Sequence, residues 1–167
     1  ELEEISGLHL IAGNTLKGRL PELLSRGEKT AHKEVFHEEY TSKTPFECLP
    51  VRSHPGRTRA FLKIQDGCRS FCTYCIVPYA RGGLRSLSPE KVLASVSGFG
   101  QAGYQEVVLT GIHLGKYGVD LDPPLDLVEL LRRIVLINPD LRIRSTLNDP
   151  EEVTHDLIDL VASETRL

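Results

Sequence analysis

The chain has 167 residues, 40% of them hydrophobic and 26% charged, with a formal net charge of −3. These values exclude a low-complexity or fibrous chain and leave room for one ordinary core with an appendage, or for two small partial domains. They also give no global basic signature of a nucleic-acid binder, so any contact with RNA or DNA must be local.

Apolar stretches such as Val107 to Thr110 and Ile134 to Ile137 fall far short of the roughly 20 residues a membrane span needs. The acidic start, Glu1 to Ile5, lacks the features of a secretory signal, which places the chain in the cytoplasm. Methionine is absent, including at position 1, and Ser163 to Leu167 continue a helical pattern without a stop signal. The sequence reads as an internal piece of a longer protein.

In chain order, His9 to Ala12 is a brief apolar run and Gly13-Asn14 a turn signal. Leu16, Leu20, Leu23 and Leu24 then fall on one helical face, predicting a strand and a helix within residues 7–25. From Ser25 to Pro55 the residues turn polar and charged, with Pro45, Pro50 and Pro55 and no lasting period; residues 26–57 read as an extended linker. His32 and His37, five apart, cannot share a helix face and are assigned no metal. Arg52 to Arg59 is the most basic stretch, suited to an RNA backbone by charge alone and equally to a solvated linker.

Ala60 to Ile64 suits a buried strand, ended by the turn pair Asp66-Gly67. Ser88-Pro89-Glu90 starts a helix with Val92, Leu93, Val96 and Phe99 at helical spacing and Gly103 as its stop. Glu106 to Thr110 is a second buried strand, and Asp122-Pro123-Pro124 opens a helix with Leu127, Leu130, Leu131 and Ile134 on its inner face. Leu141 to Arg144 reads as a third strand, and Asp149-Pro150-Glu151-Glu152 opens a third helix carrying Val153, Leu157, Leu160 and Val161. Glu151 and Glu152 read as helix-dipole partners rather than catalytic acids. The order βαβαβα implies parallel strands and right-handed crossovers. The fold class expected is α/β, a partial (β/α) barrel with its chemistry on the loops that follow the strands.

The first such loop contains Cys68, Cys72 and Cys75, three thiols in eight residues. In a cytoplasmic protein this spacing argues for soft-metal ligation rather than disulfides. A [4Fe–4S] cluster is usually held by four thiolates, so a triad leaves one iron open to a small-molecule chelate. The alternative is a structural zinc or iron–sulfur knot closed by Cys48 or a histidine, although just one Cys-x-x-Cys pair is present. After the second strand, Gly111 to Gly115 can let a ligand approach closely, with Gly111 and His113 as candidates for contact. An ordinary βα turn and a packing histidine are the plainer alternatives. Arg81 and Arg85 flank Gly82-Gly83, where they can meet a phosphate or carboxylate or simply face solvent.

The spacing Cys-x-x-x-Cys-x-x-Cys, with Tyr74 just before the last cysteine, resembles the signature of the radical S-adenosylmethionine (SAM) superfamily. Asp66-Gly67-Cys68, Phe71 to Gly82 and Leu109 to Gly115 resemble the methylthiotransferase family, most closely the branch that modifies N6-threonylcarbamoyladenosine beside the tRNA anticodon. Gly13 to Leu24 is similar to the last strand and helix of that family's α/β N-terminal domain. The resemblance divides the chain into the end of that domain (1–25), a linker (26–57) and the first part of a radical SAM domain (58–167).

It implies that Cys68, Cys72 and Cys75 hold a [4Fe–4S] cluster with an open iron, that SAM binds there, and that Tyr74 sits by its adenine. It implies a transferase that cleaves SAM reductively, abstracts hydrogen from C2 of the adenosine and adds a methylthio group. A second [4Fe–4S] cluster in the N-terminal part would supply sulfur, and tRNA and an electron donor such as a flavodoxin or ferredoxin would be its partners. No second cysteine triad is present, and Ser145-Thr146-Leu147-Asn148-Asp149-Pro150 stands where the family has Ser-Ser-Leu-Glu-Pro. The piece alone is expected to be inactive. Two other readings stay open: a methylthiotransferase acting on isopentenyladenosine in tRNA or on a ribosomal protein, and a non-catalytic metal-stabilised or electron-transfer module.

Overall fold

The structure, a computed structural model, describes residues 2–25, 33–41, 44–47, 56–137, 140–146 and 149–167. Cys48, His32, Arg52 to Pro55, and Leu147 with Asn148 lie outside the described residues. The chain divides into two units, Glu1–Leu49 and Pro50–Leu167.

In the first unit, β1 (Leu10–Ala12) is followed by a 3-10 helix (Asn14–Arg19) that runs into α1 (Leu20–Ser25). The change of helix type follows from Pro21, which has no N–H to donate to Lys17; Leu20 N–H reaches the Lys17 carbonyl instead. This rotates the leucine face. Leu16 and Leu23 are buried while Leu20 and Leu24 are exposed, so the single apolar face expected from the spacing is not formed. The linker expectation needs a larger correction. Glu34–Phe36 forms β2, parallel to β1 in the register Leu10↔Glu34, Ile11↔Val35 and Ala12↔Phe36. Its polar neighbours hid it, because a three-residue strand carries too little alternation to show a period.

The second unit runs β3 (Arg59–Lys63), β4 (Gln65–Asp66), α2 (Val77–Arg81), β5 (Arg85–Ser86), α3 (Pro89–Gln101), β6 (Glu106–Thr110), α4 (Leu127–Ile137), β7 (Arg142–Ser145) and α5 (His155–Ser163). Strands β3, β6 and β7 form a parallel sheet in that order, as the βαβαβα pattern requires. β6 is central, and Val107, Val108 and Leu109 are all buried. β3 lies at the edge, so Ala60 and Leu62 face the core while Phe61 is 41% exposed. Arg59 sits opposite Glu106 in the register, and its Nε lies 2.6 Å from Glu106 Oε1. That end of the basic stretch is thereby committed to an internal partner.

Val92, Val96 and Phe99 of α3, and Leu127, Leu130, Leu131 and Ile134 of α4, are buried at the spacing that puts them on one helix face. Each such side chain contributes about 1.5–3 kcal/mol by leaving water. Two helix starts differ from expectation. The two prolines at 123 and 124 disfavour helical geometry in the residues before them, and α4 begins only at Leu127, where Asp126 Oδ1 accepts the Glu129 N–H at 2.8 Å. Asp149-Pro150 opens a single 3-10 turn (Pro150–Glu152), after which Thr154 caps a fresh helix, α5. Val153 and Val161 are therefore exposed, and Leu157 carries the buried contact of α5. No helix among the described residues is long and apolar enough to cross a membrane.

Candidate functional site

The cysteine loop leaves the sheet through a feature the sequence did not announce, the short antiparallel pair of β4 and β5 (Gln65↔Ser86, Asp66↔Arg85). Leu87 N–H donates to the Ile64 carbonyl at 2.8 Å, and Cys68 N–H donates to the Gly82 carbonyl at 3.1 Å, so both ends of the loop are fastened side by side. Gly67 has φ +74°, and a Cβ there would collide with the Gly83 carbonyl. Only glycine allows the two strands of the loop to come this close.

The side chains of this ladder, Gln65, Asp66, Arg85 and Ser86, are polar and buried. Each is satisfied, as burial demands. Gln65 Nε2 donates to the carbonyls of Asp66 and Gly67 at 3.0 and 2.8 Å, and its Oε1 accepts the His113 N–H at 2.7 Å. One side chain thus ties the cysteine loop to the loop after β6. Asp66 lies 3.0 Å from Lys63 Nζ, 3.3 Å from Arg81 Nη1 and 3.8 Å from Arg85 Nη2. Burial acts to raise its pKa, but the hydrogen bond and charge of Lys63, the Gly67 N–H and the charge of Arg81 outweigh it and hold the carboxyl below the usual range. Arg81 and Arg85 therefore serve an internal carboxylate. Ser86 N–H and Oγ both donate to the Asp120 carboxylate, at 2.8 and 2.6 Å, which pins the stretch after Gly115 to the ladder.

Cys68, Cys72 and Cys75 are free thiols on this loop. Cys72 is exposed, and Cys75 N–H donates to the Cys72 carbonyl at 2.9 Å across a tight turn. Phe71, just before the turn, has φ +48°, and its ring packs edge-on against Tyr79 with centroids 5.5 Å apart. Tyr74 projects into solvent, 89% exposed. Gly111 lies against Gln65, where a Cβ would be 2.9 Å from the Gln65 Cβ.

His113 is brought directly to the triad, with Nδ1 3.2 Å from Cys68 Sγ and 3.3 Å from Ser70 Oγ. Burial would raise the Cys68 pKa, but its hydrogen bonds with the Ser70 side chain and N–H, together with His113, bring it below the ordinary thiol value. On the other side of the ring, His113 Nε2 contacts Glu152 Oε1. Glu152 is thus not a helix-dipole partner: its side chain is 4% exposed and packs against Gly115, where any Cβ would collide with it. Ligand atoms of His113, Asp149 and Glu152 all lie within 4.8 Å of one another. Nothing in the spacing of Glu152 from the cysteines could have announced this contact, which the parallel order of β3, β6 and β7 creates.

Residues 62–163 match the family described as the radical SAM superfamily. The chain belongs to the radical SAM superfamily. This membership implies a [4Fe–4S] cluster and SAM as cofactors. Among curated relatives, the chain is 39% identical over 135 residues to the threonylcarbamoyladenosine tRNA methylthiotransferase MtaB of Chlamydia pneumoniae, covering 81% of this chain and 31% of that protein. It is 36% identical to the protein of the same name from Aquifex aeolicus, covering 100% of this chain and 40% of the relative. It is also 36% identical to the tRNA-2-methylthio-N(6)-dimethylallyladenosine synthase of Carboxydothermus hydrogenoformans, covering 99% of this chain and 37% of the relative. The chain thus spans between 31% and 40% of the length of these relatives.

Proposed function

We propose that this chain is the cluster-bearing part of a tRNA methylthiotransferase, with Cys68, Cys72 and Cys75 as the ligands of a [4Fe–4S] cluster. The carrying observation is a set of three free thiols on one loop fastened at both ends. The donor set fits the cluster: three free thiols within eight residues are the soft ligands by which proteins hold iron–sulfur clusters. When bound, the cluster supplies an electron to SAM at its open iron.

The protein's own groups position these cofactors. Gln65 and Asp66 fix the loop, Gly111 keeps the wall behind Gln65 free of a side chain, and Tyr74 offers an exposed ring for the adenine of SAM. Among tRNA substrates we favour N6-threonylcarbamoyladenosine, supported by the names of two of the relatives above and by the Leu109 to Gly115 motif. The dimethylallyl substrate is the second reading, supported by the Carboxydothermus relative.

On the same reading, residues 58–167 are the first part of a partial (β/α) barrel in a cytoplasmic enzyme. Residues 1–25 are the end of an N-terminal domain that would hold the second cluster. A flavodoxin or ferredoxin would deliver the electrons. Two experiments test the proposal. Anaerobic reconstitution of the full-length protein is expected to give an iron–sulfur signal that SAM perturbs and that Cys72→Ala removes; zinc bound in place of iron would overturn it. Mass spectrometry of tRNA from cells lacking the gene is expected to show loss of the methylthio-threonylcarbamoyl nucleoside, and loss of the methylthio-isopentenyl nucleoside instead would assign the second substrate.

A further inference from the structure

The His113 to Glu152 contact is not needed to hold the three thiols, and it is costly by itself. A carboxylate whose side chain is 4% exposed has left water, and no hydrogen-bond donor among the described residues satisfies either of its oxygens. An uncompensated buried charge costs several kcal/mol. Among the described residues its ion-pair partner is His113, whose Nε2, itself without a hydrogen-bond partner there, is in contact with Oε1. The opposite ring nitrogen, Nδ1, lies 3.2 Å from Cys68 Sγ. The backbone of His113 is itself held by Gln65 at 2.7 Å, and Gly115 leaves the space that Glu152 fills. Cys68, His113 and Glu152 therefore form a line with the imidazole in the middle.

We propose that His113 is a positioning residue for the cluster ligand Cys68: Glu152 orients its ring, and Nδ1–H donates to the Cys68 sulfur. This rests on the reading that Cys68 binds the [4Fe–4S] cluster. Histidine is suited to the task because its two ring nitrogens point in opposite directions and can each hold a partner at once. A carboxylate behind a histidine fixes the ring and the placement of its protons, as carboxylates behind metal-bound histidines do. A donor to a ligand sulfur stabilises the extra negative charge of the reduced cluster and so raises its reduction potential. The structure thus assigns to the loop after β6 a part in setting how readily the cluster accepts its electron. A cation held by His113, Asp149 and Glu152 is the competing use of the same atoms. It is disfavoured because Asp149 Oδ1 already accepts the Glu151 N–H at 3.1 Å as a cap.

The test is a redox titration of the full-length reconstituted protein, following by EPR the cluster signal that Cys72→Ala removes. His113→Phe is expected to shift the reduction equilibrium roughly tenfold toward the oxidised form, about 59 mV for a one-electron couple. Glu152→Gln should shift it in the same direction by less, and the double variant should match His113→Phe alone, because both changes act through one ring. Unchanged potential in His113→Phe with full iron content, or additive shifts in the double variant, overturns the proposal. Stoichiometric non-iron metal that Glu152→Gln removes also overturns it.

A second measurement needs no variant. Pulsed EPR of the wild-type protein labelled with 15N-histidine is expected to show weak nitrogen coupling to that cluster, and its absence overturns the proposal even where His113→Phe fails to fold. A wild-type protein that takes up no iron overturns the cluster reading itself, a result distinct from a cluster that forms but ignores His113.

Discussion

Asp66 carries an unusual share of the local charge, since Lys63, Arg81 and Arg85 all face one buried carboxylate. Removing one member of a buried ion pair strands the others, at about 3–5 kcal/mol. Asp66→Asn is therefore expected to lower the unfolding free energy by an amount in that range, checked by equilibrium unfolding in urea. Tyr117 makes a different kind of demand. It is 1% exposed and its hydroxyl donates to the Leu87 carbonyl at 2.7 Å. Burial, helped by Glu90 and Asp120, pushes its pKa well above the ordinary phenol value. The folded state thus holds the proton more tightly than the unfolded state, whose phenol titrates near 10. The resulting stability is complete below about pH 10 and is lost as pH rises beyond it. Tyr117→Phe should cost about 1 kcal/mol at neutral pH and flatten that alkaline loss, measured as unfolding free energy against pH.

At the scale of elements, the cap of α5 decides where the chain turns after Glu152. Thr154 Oγ1 accepts the Leu157 N–H at 3.3 Å, and Thr154→Ala should destabilise the protein by about 1 kcal/mol in thermal or urea unfolding. Strands β3 and β6 and helix α3 were legible in the sequence because their apolar residues run together or recur at a clear period; Glu106–Thr110 is the strand expected, residue for residue. Two of the three helix starts at proline were not. Asp122-Pro123-Pro124 carries a start signal, yet the residues before each proline resist helical geometry and Asp126 does the capping. The β4–β5 ladder was invisible because two-residue strands of Gln, Asp, Arg and Ser carry no apolar alternation.

For the whole molecule, the sheet and the cysteine loop draw on separate sources of stability. Ala60, Val107, Leu109, Leu130, Ile134 and Ile143 are buried without help from any thiol. Replacing all three loop cysteines by alanine should remove the iron of this cluster while leaving far-UV circular dichroism and cooperative unfolding intact. The candidate site was legible to the same uneven degree. The cysteines sit within eight residues of one another, so their spacing exposed them, and His113 was flagged through the Gly111 to Gly115 loop that follows a strand. Glu152 and Gln65 take part through the packing of distant segments, which a local pattern cannot encode. Charge gave little help here, because at −3 overall the chain advertises no single face to an RNA.

A loop clasped at its base with Cys72 out in the solvent has a practical corollary. Until iron arrives, Cys72 is the first sulfur an oxidant meets, and Cys75 stands one tight turn away to condense with the resulting sulfenic acid. Such a bridge would leave Cys68 by itself and lock the loop against reloading until a reductant opened it. Exposure to air would then silence the protein without unfolding it, and handling from lysis to reconstitution has to be anaerobic.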